Sequence, residues 1–340
     1  MIEPIAKVIA INEIKLISGT ANPELARRIS EHISVPLTPI SLKKFTDGEI
    51  YVQVNESVRG LDCFVIQPTC SPVNDNVMEL LLILDALKRA SANSITVIMP
   101  YFGYARQDRK AEPREAISAK LMADIITRAG ATRVLTIDLH APAIQGFFDI
   151  PVDDLWAVSI FSKYIRERHG NNFVVVAPDT GGAKRARVLA KLLDCPMALI
   201  DKRRTSHNEV EVLNVIGDVS GRNALIIDDI IDTAGTISNA VSALKRKGAL
   251  KVMIAASHAL LSGPAVERLS ACGAEEVIVT DTVPIPKEKR FSGLTILSFA
   301  PLLAEAIRNI SENRSVSGLT PAFFKESDDS VDVKKGLKRI

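Results

Sequence analysis

Nine short apolar runs recur between helix-period segments from near residue 14 to near residue 310: IKLIS, CFVIQP, SITVIMP, RVLTIDLH, NFVVVAPD, PMALID, ALIIDD, KVMIAASH and EEVIVTD. Each is rich in Val and Ile and apolar throughout, not alternately, as strands buried on both faces are. Strands of that kind separated by helices build parallel sheets with helices on their faces, so the fold class is α/β, with mostly parallel sheets flanked by helices.

The pattern is also written twice. ESVRGLDCFVIQP followed by LLLILDALKRASANSITVIMP is echoed by GDVSGRNALIIDD followed by AVSALKRKGALKVMIAASH. Gly60 matches Gly221, and Ala86, Leu87, Lys88 and Arg89 match Ala243, Leu244, Lys245 and Arg246. Each copy carries a helical apolar stripe, Val77, Leu80, Leu81 and Leu84 in one and Ile237, Ala240, Val241 and Leu244 in the other. Both stripes end in basic residues that suit the negative pole of a helix. The 340 residues exceed the roughly 250 at which a single core stops growing. Two related domains are expected, residues 1–155 and 156–312, with a polar, weakly ordered tail over 313–340.

Forty-two Lys and Arg against forty Asp and Glu leave a net charge of +2, which gives no electrostatic case for a nucleic-acid or membrane partner. Cys63, Cys70, Cys195 and Cys272 have neither C-x-x-C spacing nor the density of a disulfide framework, which points to a reducing compartment, by default the cytoplasm. The opening MIEPIAKVIAINEIK carries charges where a signal peptide needs an apolar centre, and no apolar run reaches the roughly 18 residues of a spanning helix.

The stretch ALIIDDIIDTAGTISNA puts Asp228, Asp229 and Asp232 after an apolar run and before a Thr233, Ala234, Gly235, Thr236 turn. A strand, loop and helix in that order place the loop at the carboxyl edge of the sheet, where open α/β sheets bind ligands. The helix start offers unpaired N–H groups to a phosphate, and the carboxylates suit sugar hydroxyls or a metal. Helix capping explains one aspartate but not three. No G-x-x-x-x-G-K-[ST] and no G-x-G occurs, so neither a P-loop nor a dinucleotide site is supported.

The segment IIDDIIDTAGT resembles the phosphoribosyl-pyrophosphate signature of type I phosphoribosyltransferases. With FTDGEI, YARQDRK, DLHAPAIQGFFDIPVD, APDTGGAKRA and DKRR, the chain resembles the ribose-phosphate pyrophosphokinase family, in its phosphate-activated class, from about Leu16 to Asn309. Thr46 stands where Ser is frequent, and Ala234 where Gly or Cys is found. The resemblance implies two tandem type I phosphoribosyltransferase-like domains, the first with ATP loops and the second with the ribose 5-phosphate site.

FTDGE alone reads as an acidic turn before the strand IYVQV. The resemblance makes it an ATP loop, with Phe45, Asp47, Gly48 and Glu49 around adenine in a neighbouring subunit. YFGYARQDRK read alone is a solvated loop or a single-strand binder, and the resemblance assigns Arg106 and Gln107 to ATP. It likewise gives His140 to ATP and metal and Asp179 to metal. The residue-level alternatives are a structural histidine at a strand end and an aspartate capping the next helix. Lys202 and Arg204, otherwise a surface charge run, become the catalytic residues of a mobile loop, where positive charge meets a transferring phosphoryl group. Arg204 also joins Asp228, Asp229, Asp232, Thr233, Ala234, Gly235 and Thr236 as a ribose 5-phosphate residue.

The implied reaction is Mg²⁺-dependent transfer of the pyrophosphoryl group of ATP to the C1 hydroxyl of ribose 5-phosphate, with inorganic phosphate and ADP as effectors and a homo-hexamer as the assembly. No general base is identified. A phosphoribosyltransferase would need only one such domain, and a silent regulatory homologue would have lost parts of the ATP or Lys202 motifs.

Overall fold

The computed structural model describes residues 14–170, 172–203 and 212–319. The first sheet is all parallel, in the order β1 (Ile14–Ser18), β4 (Asp62–Ile66), β5 (Ser94–Met99), β6 (Arg133–Ile137) and β7 (Val152–Leu155). The second repeats that order as β8 (Phe173–Ala177), β11 (Asn223–Ile231), β12 (Val252–Ala259), β13 (Glu276–Thr280) and β14 (Leu294–Leu297). Two further strands, β9 (Met197–Arg203) and β10 (Val212–Ile216), extend it, with β10 antiparallel to β9. Their counterpart in the first half is the separate antiparallel hairpin of β2 (Ile40–Lys44) and β3 (Ile50–Val54).

All nine expected strands form. ISLKK, VDDL, VLNVI and LTIL are four further strands; each is short and peripheral and carries polar residues or only partly buried ones that weaken an apolar run. The stripe on α2 (Val73–Arg89) differs in detail from the expected one: Ile83 and Leu87 join Val77, Leu80 and Leu84 in the interior, while Leu81 is half-buried. On α6 (Gly235–Arg246) the four expected apolar residues are all buried.

Each sheet packs one face against its own helices. In the first half these are α2 and α3 (Ser118–Ala129), and in the second α6 and α7 (Ala265–Ala271). The remaining faces share one core, in which α1 (Pro23–Ile33), α4 (Val158–His169), α5 (Ala183–Leu193) and α8 (Ala300–Ser311) bring Leu25, Ile29, Phe161, Leu189, Phe299 and Leu303 together. Each such side chain contributes about 1.5–3 kcal/mol on leaving water, which joins the halves far more firmly than a polar linker would. Of the expected tail, Val316 is buried against this core, and residues 320–340 lie outside those described. Among the described residues no helix is long and apolar enough to cross a membrane.

Candidate active site

Asp228 and Asp229 stand near the carboxyl end of β11, where the parallel ladder brings the ends of neighbouring strands to one edge. The chain then turns through Asp232 and Thr233 to Ala234, whose left-handed backbone (φ 59°) starts α6 at Gly235. The first N–H groups of a helix have no intrahelical partners, so this turn can cradle an anion. Asp232 accepts a hydrogen bond from Arg106 Nη1 (2.6 Å) across the two halves, and Arg268 Nη1 donates to the Thr233 carbonyl (2.9 Å).

The cleft above this edge encloses about 740 Å³ and is lined by both halves: Arg106, Arg109 and His140 from the first, and Asp179, Arg185, Asp228, Asp229 and Asp232 among those from the second. His140 Nδ1 lies 2.7 Å from Asp229 Oδ2, and Arg185 Nη1 lies 3.4 Å from Asp229 Oδ1. Burial pushes the Asp228 carboxyl well up, and the neighbouring Asp229 charge pushes it further. Burial acts the same way on Asp229, but the hydrogen bond with His140 and the Arg185 guanidinium outweigh it and hold that carboxyl below the usual carboxylate range. Asp229 is thus the charged member of the pair and Asp228 the one that takes up a proton more readily. The bond to Asp229 raises the His140 imidazole. Burial tends to raise Asp232, but hydrogen bonds with Ser262 and Arg106 hold it low.

Asp179 follows β8, lines the cleft and accepts the Gly182 N–H (3.0 Å) in the turn before α5, but the helix takes Gly182 as its N-cap with no side-chain cap bond, so Asp179 does not cap it. Lys202 lies in β9, next to the cleft-lining Ile200 and Asp201, and Arg204 falls outside the described residues. Phe45, Asp47, Gly48 and Glu49 form the exposed turn of the β2–β3 hairpin, with Phe45 at 55% exposure, and none of them lines this cleft. Gln107 accepts a hydrogen bond from Ser118 Oγ and also stays off the cleft wall. Thr233 and Thr236 are exposed at the turn.

Arg185 and Asp138 carried no sequence signal strong enough to single them out. Arg185 is one of several basic residues on α5, and Asp138 follows β6 at the same strand end as His140.

Among the described residues no three His, Cys, Asp or Glu side chains come close enough together to hold a metal unaided. The cleft does offer carboxylates and an imidazole, Asp179, Asp228, Asp229 and His140. That donor set fits a cation such as Mg²⁺, which keeps several waters and takes one or two carboxylates together with phosphate oxygens. Chemically, the site pairs carboxylates, which can accept hydrogen bonds from hydroxyls, with guanidinium groups, which can engage phosphate oxygens.

Comparison with known proteins agrees. The family model described as the N-terminal domain of ribose phosphate pyrophosphokinase matches residues 14–130, and the phosphoribosyl synthetase-associated domain matches residues 203–320. The chain is 53% identical over 305 residues to a ribose-phosphate pyrophosphokinase of Campylobacter jejuni, covering 90% of this chain and 98% of the relative. It is 53% identical over 310 residues to one of Synechococcus elongatus, covering 91% of this chain and 94% of the relative. The crystal structure of phosphoribosylpyrophosphate synthetase from Mycobacterium smegmatis superposes with a TM-score of 0.85 at 47% identity, over 88% of this chain and 99% of that one. With both domain matches in one chain and 53% identity to a relative over 90% of its length, the chain belongs to the ribose-phosphate pyrophosphokinase family.

Proposed function

We propose that the protein transfers the pyrophosphoryl group of ATP to ribose 5-phosphate, giving 5-phosphoribosyl 1-pyrophosphate and AMP for nucleotide biosynthesis. The observation that carries this reading is the Asp228–Asp229 pair in a cleft that also receives His140 and Arg106 from the other half. The sugar phosphate sits on the turn of Asp232, Thr233, Ala234, Gly235 and Thr236, and its hydroxyls face Asp228 and Asp229. Asp229, held charged, is a strong acceptor for a sugar hydroxyl. ATP lies on the side of Arg106, Gln107 and His140, where a guanidinium engages two phosphate oxygens at once.

The C1 hydroxyl oxygen attacks the β-phosphorus and gives up its proton to water, the bond from that phosphorus to the oxygen bridging it to the α-phosphorus breaks, and AMP leaves with that oxygen. Lys202 and Arg204 bring positive charge to the phosphoryl oxygens as the transfer proceeds. Mg²⁺, held by His140 and Asp179 together with phosphate oxygens, would neutralise phosphate charge. Phe45, Asp47, Gly48 and Glu49 serve the ATP site of a neighbouring subunit in a homo-hexamer, since the exposed hairpin turn lies off its own chain's cleft. We assign the division into domains at residues 155 and 156, a cytoplasmic location, activation by inorganic phosphate and inhibition by ADP to the same reading.

Incubation with Mg²⁺, ATP and ribose 5-phosphate is expected to release AMP in equal amount to the new diphosphate, and more so with inorganic phosphate present. Release of ADP in place of AMP would mean an ordinary kinase. A protein that sediments as a monomer at assay concentration would remove the shared ATP site.

A further inference from the structure

The carboxylate of Asp138 is buried where the two halves meet. It follows β6, and its backbone is left-handed (φ 44°), a conformation that aspartate tolerates better than most residues. Oδ2 accepts the Ala157 N–H (3.1 Å) and the hydroxyl of Ser257, which belongs to β12 of the second half. Oδ1 faces Arg185 Nε at 3.6 Å. The Arg185 side chain, only 12% exposed, reaches on to Asp229 Oδ1 at 3.4 Å. The other oxygen of Asp229 meets His140, two residues along the chain from Asp138. One residue before Asp138, the Ile137 carbonyl lies 3.0 Å from Nε2 of the buried His258. Asp138, Arg185, Asp229 and His140 thus form a closed ring that crosses twice between the halves.

The duplicated fold supplies an internal control. By strand order and by the shared run ending in Asp, Asp281 after β13 corresponds to Asp138 after β6. Asp281 accepts the Phe299 N–H (2.7 Å) as Asp138 accepts that of Ala157, and Arg28 of the opposite half faces its Oδ2 at 3.8 Å. The cross-half Asp–Arg contact therefore occurs twice, but only the Asp138 copy reaches a carboxylate of the candidate site.

We infer that Arg185 and Asp138 are positioning residues for the pyrophosphoryl transfer: they brace Asp229 against His140, so that the sugar-binding carboxylate and the ATP-side histidine keep one fixed relation. The inference rests on the reaction assigned above. Neither residue needs to touch substrate. A guanidinium that spans two carboxylates does what lysine, with a single charged point, cannot.

The test uses the full-length protein with Arg185→Met, Arg185→Lys, Asp138→Asn and, as the matched control, Arg28→Met. The expected result is a loss of roughly 10- to 100-fold in kcat/KM for ribose 5-phosphate in Arg185→Met and Asp138→Asn, as when the support of a site ligand is removed. The KM for ATP should move little, the thermal midpoint should fall in Arg185→Met because two buried carboxylates lose their cation, Arg185→Lys should recover only part of the kinetic loss, and Arg28→Met should stay within threefold of the unmodified enzyme. The double variant Arg185→Met, Asp138→Asn should lose no more than the worse single change, because both act through one contact. Calorimetric titration with ribose 5-phosphate alone should show the same weakening without turnover. If Arg185→Met does not fold, Asp138→Asn decides by the same readouts. Losses that add in the double variant, equal losses in Arg28→Met, or unchanged kcat/KM in a folded Arg185→Met would overturn the inference. Failure of the unmodified enzyme to release AMP would instead remove the reaction assignment, and the calorimetry would still judge the brace.

Discussion

The two halves share strand order, yet their carboxyl edges carry opposite chemistry. Where β11 leads into Asp228 and Asp229, β4 leads into Gln67 and Pro68. Gln67 is fully buried and spent within the fold: its Oε1 accepts the Ala21 N–H (3.1 Å), and its Nε2 donates to Glu79 Oε1 (2.8 Å). Glu79 in turn accepts the backbone N–H (2.6 Å) and hydroxyl (2.8 Å) of Thr20 in the turn after β1. That turn corresponds to the one after β8 that faces the candidate cleft through Thr180, Gly181 and Gly182. A Cβ on Gly19 would sit 2.2 Å from Gln67 Oε1, so the first half is packed shut at this place. His140 likewise has the apolar Val283 as its counterpart, two residues after Asp281. Both copies have the frame, but at this edge the second half lines the cleft with acidic residues while the first half uses the equivalent positions for internal hydrogen bonding.

Asp229→Asn tests this contrast most severely. Removing the charge that His140 and Arg185 both engage is expected to cut kcat/KM for ribose 5-phosphate roughly 100-fold or more, on the scale of losing one preorganised electrostatic contact. Gln67→Leu, at the corresponding edge, should leave kcat/KM per folded molecule unchanged and cost about 1–3 kcal/mol in stability by stranding buried polar partners. Steady-state kinetics alongside urea unfolding separates the two, and a large kinetic loss in the Gln67 variant would end the claim that this edge is only structural.

A second contrast lies at the outer strands, where the pairing registers make Ile296 of β14 the equivalent of Asp154 of β7: Asp154 pairs with Thr136 and Ile296 with Val279. Burial, reinforced by the charge of Asp138, pushes the Asp154 carboxyl up to about 7. Its folded value is above its unfolded one, so the native state binds the extra proton between the ordinary carboxylate range and about pH 7. The associated stability is complete below that window and is lost as pH rises through it, by at most about 1.4 kcal/mol per pH unit. Thermal melts of Asp154→Asn across this window should lack that decline, and parallel curves for the two proteins would refute it.

The smallest effect concerns Ala234, in the left-handed region at the start of α6. A left-handed residue with a Cβ carries a strain of about 1–2 kcal/mol, partly offset by the entropy glycine loses on folding. Ala234→Gly should therefore raise the thermal midpoint slightly, and a fall would show that the buried methyl matters more than the backbone.

The sequence alone determined the α/β class, the duplication and the acidic edge. Apolar runs of Val and Ile, helical stripes and the Asp228, Asp229, Asp232 cluster are local patterns, and local patterns follow from backbone geometry and burial. The edge strand VDDL stayed hidden because two of its four residues are acidic, and only pairing with β6 makes it a strand. Tertiary structure alone decided that His140 meets Asp229 over a separation of 89 residues, and that Arg185 sits between two carboxylates of different halves. It also decided that the halves share one core through α1 and α8, at opposite ends of the described chain. The physical reason is that charge pairing and burial across a domain contact depend on distances in space, and spacing along a chain fixes those only within an element or between its immediate neighbours.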